Sequence, residues 1–363
     1  PSIVQSGMDL SFMVLGMIFV LMLGDIDISV ASSMILSAMV MGLLFDAGAG
    51  AFVSILCGLL AGTLCGVLNG VLVALLKMPA VIVTIATMLL FRGVVKIILD
   101  VNVLKNFPRW FPKLAWGNVL GIPVSLLCFL AAAAVFGVVL HKTKFGRELY
   151  MIGNSQTVAE YSGIRVNRAR IIVFAVMGLM TGVSAIFFVG RMGGGVSSTM
   201  ARGYELDVIA IAVLGGVSTN GGKGRIYGPV ISTLIMAFLI YTLGLLGVDA
   251  NSRKIMTGVI LIVAVLIPHI NREALGRARL SVRFGGNRNV EALYLGHLRE
   301  TRDLRRQLRE TARDASLPQG ERAAQNAALR AKIASSRQKY RQAARSMKHE
   351  QKSDARKSRK YAK

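Results

Sequence analysis

Long apolar runs separated by short polar interruptions constrain this chain more than any other feature. A helix that crosses about 30 Å of hydrocarbon needs about 20 apolar residues, and the sequence offers several runs near that length. They are residues 8–23, 28–45, 50–76, 80–99, 118–140, 171–190, 226–246 and 253–268. The shorter run Leu206 to Val217 predicts a broken or re-entrant helix. Because 53% of the residues are hydrophobic and only 17% are charged, we predict an all-α polytopic membrane protein with about 8–10 transmembrane or re-entrant helices.

The start of the chain lacks the pattern of a signal peptide. No Lys or Arg precedes Lys77, whereas a signal peptide has a basic head before its apolar core. Because Pro1 stands first, we expect one further upstream helix that this sequence does not include. The cysteines lie in apolar runs without disulfide or zinc spacing, so we expect no cysteine chemistry.

Basic residues predict which polar segments face the cytoplasm, because cytoplasmic loops carry an excess of Lys and Arg. Residues 141–170 contain six basic residues against two acids, and the chain after Ile270 is strongly basic. If both segments lie inside, the chain between them must cross the membrane an even number of times. The short run 206–217 must therefore cross or nearly cross the membrane. The same alternation places residues 100–117 outside, where four aromatic side chains are expected to form an interfacial anchor. These are Phe107, Trp110, Phe111 and Trp116.

No residue pattern indicates catalysis. The four histidines lie in loops or in the tail without a cluster of partners. The loop at 216–224, GVSTNGGKG, differs from a phosphate-binding loop, which ends in GK followed by Ser or Thr and follows a strand. We therefore expect a non-enzyme without its own ATPase motif, metal or cofactor.

Polar residues beside the apolar runs are candidates for a polar path through the membrane. Asp27 and Ser29 are expected either to cap the following helix or to line such a path. Glu205 and Asp207 leave the same alternatives at the head of the short helix, because broken helices at membrane depth border cavities. Arg92 lies deep in its apolar run and is either an ion-pair partner or a path residue.

Glycines recur every four residues along one predicted helix face, at Gly58, Gly62, Gly66 and Gly70. Small residues at this spacing allow a neighbouring backbone to approach closely in a membrane. We predict a tight helix contact here, with sliding of helices along the glycines as the alternative.

The segment 141–170 has the composition of a docking element for a cytosolic partner. Gly146, Gly153 and Gly163 bracket a short stretch, Ser155 to Tyr161, that is compatible with a helix. An ordinary solvated loop is the alternative.

Five blocks occur in the order and spacing of a known family. They are GDIDISVAS at 24–32 and the longer blocks 69–94, 143–193, 203–228 and 245–265. On these blocks the chain resembles the membrane permeases of bacterial ABC importers for monosaccharides, of the ribose, xylose, arabinose, galactose and autoinducer-2 type. The family usually has GGIDLS where this chain has GDIDIS, so Asp25 replaces a glycine.

The resemblance implies a multi-pass subunit of the bacterial inner membrane that forms a sugar path. Its implied partners are a cytosolic ABC ATPase that binds the ATP, a periplasmic sugar-binding protein, membrane lipids, and a second copy or sister permease. An ion-coupled secondary transporter is the alternative. The path candidates of the matched blocks are Asp27, Ser29, Asn69, Arg92, Tyr204, Glu205 and Asp207. The ATPase-coupling candidates are Gly146, Arg147, Gly153, Asn154, Ala159, Gly163 and Ile164.

The family usually ends near residue 268, which divides this chain into a permease domain, 1–270, and a basic cytoplasmic extension, 271–363. The extension holds 25 Lys and Arg against 9 acids, a net charge of +16 out of the total +24. Two helix-compatible stretches, 291–311 and 321–349, have too few apolar residues to predict a heptad seam. The extension is predicted to lie on the anionic inner leaflet, to bind nucleic acid, or to be an artefactual fusion; nucleic acid is the less favoured partner.

Overall fold

The computed structural model describes most of residues 5–263 and parts of the chain beyond residue 287. The described residues are 5, 7–100, 102–105, 107–119, 121–249, 252, 255–256, 258–260, 262–263, 288–313, 318, 320–321, 323–340 and 342. The chain divides into two units, Pro1–Ile267 and Pro268–Lys363.

The first unit is built from apolar helices. Its helices are α1 (Met8–Met22), α2 (Val30–Asp46), α3 (Ala51–Leu75), α4 (Ala80–Leu99), α5 (Pro112–Trp116), α6 (Val124–Lys142), α7 (Lys144–Asn154), α8 (Gln156–Tyr161), α9 (Val166–Arg191), α10 (Tyr204–Leu214) and α11 (Tyr227–Leu245). Five of them, α3, α4, α6, α9 and α11, are long and apolar enough to cross a membrane, and α1 and α2 are shorter apolar helices. The predicted all-α membrane architecture is confirmed.

The predicted run 118–140 begins too early. The structure has a short antiparallel pair there, β1 (Asn118–Val119) with β2 (Ile122–Pro123), and α6 begins only at Val124. Gly121 has a φ of +82°, a conformation that favours glycine and turns the chain back on itself. Pro123 then precedes the helix, where its missing N–H costs no helical hydrogen bond. The predicted span 253–268 lies largely outside the described residues.

The central element of the bundle is α1, whose residues are all buried. It contacts α6, α9, α10 and α11. The outer helices bury only one face, and α3 exposes Leu56, Leu60 and Leu64 on its other side. In a membrane, such apolar outer faces contact lipid, so the bundle has an internal helix surrounded by lipid-facing ones.

The predicted glycine face of α3 packs directly against α9. A Cβ atom added to Gly66 would lie 2.1 Å from the Phe174 carbonyl oxygen, and one added to Gly62 would lie 2.6 Å from the Gly178 carbonyl oxygen. The contact is equally close from the side of α9, because a Cβ added to Gly178 would lie 2.2 Å from the Gly62 carbonyl oxygen. The prediction of a tight helix contact is confirmed.

The aromatic residues of the segment 100–117 do not all form an interfacial anchor as predicted. Phe107 and Phe111 are buried and contact Phe45 of α2, with ring centroids 5.6 and 5.8 Å from it. Trp110 and Trp116 are exposed. The prediction was wrong for the two phenylalanines, because they lack the polar group that favours an interface and they fill the space beside α2.

The second unit contains α12 (Arg288–Arg313) and a further helical stretch at 323–340. His297 stacks on Tyr340 with ring centroids 4.9 Å apart, and the Ser336 hydroxyl lies 3.0 Å from His297 Nδ1 and donates to Glu300 Oε2. Partly or fully buried positions recur at alternating spacings of four and three residues, as 297, 301, 304, 308 and 326, 329, 333, 336, 340. His, Thr, Ser and Asn occupy several of these positions, in keeping with the few apolar residues noted in the sequence.

A single methyl group is expected to disrupt the contact between α3 and α9. Gly66→Ala places a Cβ against the backbone of α9, and we expect a loss of roughly 1–3 kcal/mol in the free energy of unfolding. Thermal unfolding of the full chain in detergent measures this. The matched control is Gly93→Ala on α4, where an added Cβ meets nothing within 4 Å. Equal unfolding midpoints for the two variants would contradict the contact.

Candidate functional site

Three segments of the chain meet at one end of the bundle. The Gly222 N–H donates to the carbonyl oxygen of Met22 at the end of α1, at 2.9 Å. The Tyr150 hydroxyl of α7 donates to the Gly224 carbonyl oxygen at 2.7 Å. The segments 22–25, 150–154 and 218–225 are therefore in direct contact, and we call this side of the bundle the basic end. Both basic segments lie at this end: residues 141–170 and the turn that contains Lys223 and Arg225.

Glycine makes the closest of these contacts possible. A Cβ added to Gly153 would lie 1.9 Å from the Met22 carbonyl oxygen and 2.3 Å from the Gly222 nitrogen. Gly222 itself has a φ of +68°, and an added Cβ there would lie 2.7 Å from Asn154 Oδ1. Burial raises the pKa of the Tyr150 phenol, while Arg225 acts in the opposite direction. Tyr150 therefore stays protonated near neutral pH and keeps its bond to Gly224.

An ion pair adds a second link at the basic end. Arg170 Nε donates to Asp25 Oδ2 at 2.7 Å, and Arg170 Nη2 donates to Gln156 Oε1 of α8 at 3.4 Å. Asp25 belongs to the segment between α1 and α2. Burial raises its pKa, and the guanidinium of Arg170 opposes that rise. The residue that departs from the family pattern thus connects the α1–α2 segment to the start of α9.

Three of the predicted path residues form one buried cluster. Ser29 Oγ donates to Asp27 Oδ1 at 2.7 Å, and Asn69 Nδ2 of α3 donates to Ser29 Oγ at 2.8 Å. The Ser29 N–H also donates to Asp27 Oδ1 at 2.9 Å, just before α2 begins at Val30. All three residues are buried. In this conformation the cluster links α3 to the start of α2.

The remaining path candidates lie toward the other end of the bundle. Arg92 donates from Nη1 to the carbonyl oxygens of Ser198 and Met200, at 3.1 and 2.7 Å. Both of these acceptors are backbone carbonyls and not carboxylates. Glu205 Oε1 accepts from the N–H of Gly203, which has a φ of +95° just before α10. Asp207 lies in the first turn of α10.

Tyr204 belongs to a cluster that the sequence analysis did not identify. Arg191 Nη2, at the end of α9, lies 3.0 Å from Asp9 Oδ2 of α1 and also donates to the Tyr204 hydroxyl. Asp9 is 1% exposed, and its second carboxylate oxygen has no hydrogen-bond partner. Phe188 packs edge-on against Tyr204, with ring centroids 5.9 Å apart. An acid inside the apolar run 8–23 was the available signal, because buried ionisable residues in a membrane need a partner.

The predicted coupling residues lie on two short capped helices and the turn after them. The Thr143 hydroxyl accepts from the Gly146 N–H and begins α7, and the Ser155 hydroxyl accepts from the Val158 N–H and begins α8. Gly163 ends this region with a φ of +79°. Gly146, Gly153 and Ala159 are in close contact with the bundle, Ile164 is partly buried, and Arg147 and Asn154 are exposed.

The short helix α8 also presents apolar side chains outward. Tyr161 is 89% exposed and Val158 is 59% exposed. Such residues in a basic segment beside the bundle form a surface suited to a protein partner. Among the described residues, no group of three or more His, Cys, Asp and Glu could hold a metal ion.

Comparison with known proteins identifies the family. A family model described as the permease component of branched-chain amino acid transport systems matches residues 2–265. The chain belongs to this permease family. It is a multi-pass subunit of the bacterial inner membrane and a transport protein rather than an enzyme. No solved structure matches the chain.

Several curated relatives are similar over most of their length. The ribose import permease protein RbsC of Bacillus subtilis is 36% identical over 254 residues, covering 69% of this chain and 79% of the relative. The L-arabinose transport system permease protein AraH of Escherichia coli is 35% identical over 259 residues, covering 71% and 79%. The autoinducer 2 import system permease protein LsrD of Escherichia coli is 34% identical over 253 residues, covering 68% and 76%. The resemblance found in the sequence is confirmed.

Variants of Asp9 and Arg191 test whether their buried ion pair stabilises the fold. Arg191→Met leaves the Asp9 carboxylate buried without its partner, which is expected to lower the free energy of unfolding by about 3 kcal/mol. The double variant Asp9→Asn/Arg191→Met removes both charges and should recover part of this loss. Thermal unfolding in detergent measures both, with exposed Arg202→Met as the control. A double variant that is less stable than Arg191→Met would contradict the pairing.

Proposed function

We propose that the chain forms the membrane path of an ABC importer that takes up a monosaccharide. The observation that carries this proposal is the similarity of residues 2–265 to permeases, including relatives named for ribose, L-arabinose and autoinducer 2. The family model is named for branched-chain amino acids, but these relatives are named for other substrates. The names of these relatives favour a sugar as the substrate. They also favour an importer over an ion-coupled carrier.

The polar groups of the bundle suit a neutral, hydroxyl-rich substrate. Asp27, Ser29 and Asn69 form a cluster near the basic end, whereas Arg92 and Tyr204 lie toward the opposite end. Thr84, whose hydroxyl donates to the Ile26 carbonyl oxygen near the first cluster, precedes Arg92 on α4 by about 12 Å along the helix axis. These groups provide hydrogen-bonding sites at two depths, between which a sugar would pass when the bundle opens.

We also propose specific partners, which the family and the surfaces described above support. A cytosolic ABC ATPase, which binds the ATP, docks on the coupling segment 146–164, and a periplasmic binding protein delivers the sugar to the opposite end. A second copy or a sister permease completes the path as a dimer. The chain itself uses no cofactor. The extension 271–363 lies on the cytoplasmic side, as its net charge of +16 favours.

Reconstitution tests the transport function directly. The full chain is placed in proteoliposomes with its ATPase and binding protein, and uptake of labelled ribose, L-arabinose and leucine is measured with and without ATP. We expect ATP-dependent uptake of a sugar and no uptake of leucine. Uptake driven by an ion gradient without the ATPase would establish the secondary-transporter alternative and contradict the proposal.

The exposed aromatic side chain of α8 tests the docking surface. Tyr161→Ala removes an anchor of the type that dominates interface energies, so we expect co-purification of the ATPase to weaken roughly fivefold or more. The thermal unfolding midpoint should not change, because Tyr161 is 89% exposed. Ile97→Ala on α4, where the side chain is 83% exposed, is the control and should leave co-purification unchanged. Normal ATPase binding by the Tyr161 variant would count against this surface.

A further inference from the structure

A cleft at the basic end has a lining that the transport path does not use. It has a volume of about 540 Å³ and lies between the start of α7 and the start of α9. Its charged lining residues are Lys144, Glu148, Arg165 and Arg168, and its apolar lining includes Phe145 and Ile172. Two predicted coupling residues, Gly163 and Ile164, also line it. Arg165, Arg168 and Ile172 lie beyond the predicted coupling residues.

The cleft carries a surplus of positive charge. Three basic residues face one acid, and the only ion pair recorded among these four is a contact of 4.0 Å between Lys144 Nζ and Glu148 Oε1. In the part of the chain that the structure describes, no carboxylate forms an ion pair with Arg165 or Arg168. Guanidinium groups without a carboxylate bind the oxygens of a phosphate well, because their planar N–H groups match the phosphate geometry.

The cleft also joins a polar surface to an apolar one. Ile172 lies on α9, a helix long and apolar enough to span a membrane, and its side chain is 38% exposed. Arg165 immediately precedes α9, about 10 Å from Ile172 along the helix. The guanidinium groups therefore lie where a membrane surface is expected, and the apolar lining continues toward the lipid.

We propose that this cleft binds the phosphodiester headgroup of an anionic phospholipid. Arg165 and Arg168 contact the phosphate, Lys144 adds to the local positive charge, and Phe145 and Ile172 contact the first part of an acyl chain. Basic pockets between membrane helices on the cytoplasmic side are the sites where such headgroups bind. This inference goes beyond the transport function and holds whichever sugar is carried.

Titration with a defined lipid tests the site. The full chain in mild detergent is titrated with short-chain phosphatidylglycerol, and the thermal unfolding midpoint is followed. We expect phosphatidylglycerol to raise the midpoint, and short-chain phosphatidylcholine, which has no net charge, to raise it far less. Glycerol 3-phosphate, which carries a phosphate but no acyl chain, is the control for binding of a free phosphate. It is expected to give a much smaller shift of the midpoint. Equal shifts with phosphatidylcholine would overturn the proposal, and an equal shift with glycerol 3-phosphate would assign the site to free phosphates.

Matched variants locate the effect in the cleft. Arg165→Gln/Arg168→Gln should weaken the apparent affinity for phosphatidylglycerol roughly tenfold or more. Lys142→Gln/Lys223→Gln removes the same charge from exposed positions outside the cleft and should retain the affinity. Glu148→Gln removes the only acid of the lining and should tighten binding, which keeps the test decisive if the arginine variant does not fold. Unchanged phosphatidylglycerol affinity with lost ATPase co-purification in the arginine variant would assign the cleft to the protein partner instead.

Discussion

The contact between α3 and α9 is the constraint on which the rest of the bundle depends. In a membrane the hydrophobic effect does not drive helices together, so their association depends on close packing and hydrogen bonds. Gly62 and Gly66 on α3 and Gly178 on α9 bring the two backbones together at distances that exclude any side chain. This contact positions α9, and α9 in turn packs on α1 and carries Arg170 and Arg191.

The charged side chains of α9 are confined to its two ends, and the arginine at each end pairs with a different carboxylate. Arg170 meets Asp25 at the basic end, and Arg191 meets Asp9 and Tyr204 near the opposite end. Both acids belong to α1 or to the segment that follows it. The central helix α1 is therefore held to α9 by one ion pair at either end of an otherwise apolar contact, which fixes its position along the bundle axis.

Much of this architecture was predictable because apolar length and glycine spacing are local properties of the sequence. The runs near α3, α4 and α11 and the glycine face of α3 correspond closely to the structure. The helix boundary at Val124 was missed because Gly121 and Pro123 override an apolar composition. The cluster of Asp9, Arg191 and Tyr204 was missed because its members are up to 195 positions apart in sequence, and no local pattern pairs them. Whether Asp27, Ser29 and Asn69 touch a substrate stays a prediction, since the structure shows only their contacts with one another.

The backbone contacts of Gly153 have a mechanical consequence. Its peptide touches the last turn of α1 on one side and the turn before α11 on the other, with no flexible side chain between them. Backbone atoms in van der Waals contact cannot absorb a displacement by changing rotamer, as long side chains do. A displacement of α7 therefore reaches two helices at once, so α7 acts as a stiff link to them rather than as an elastic tether.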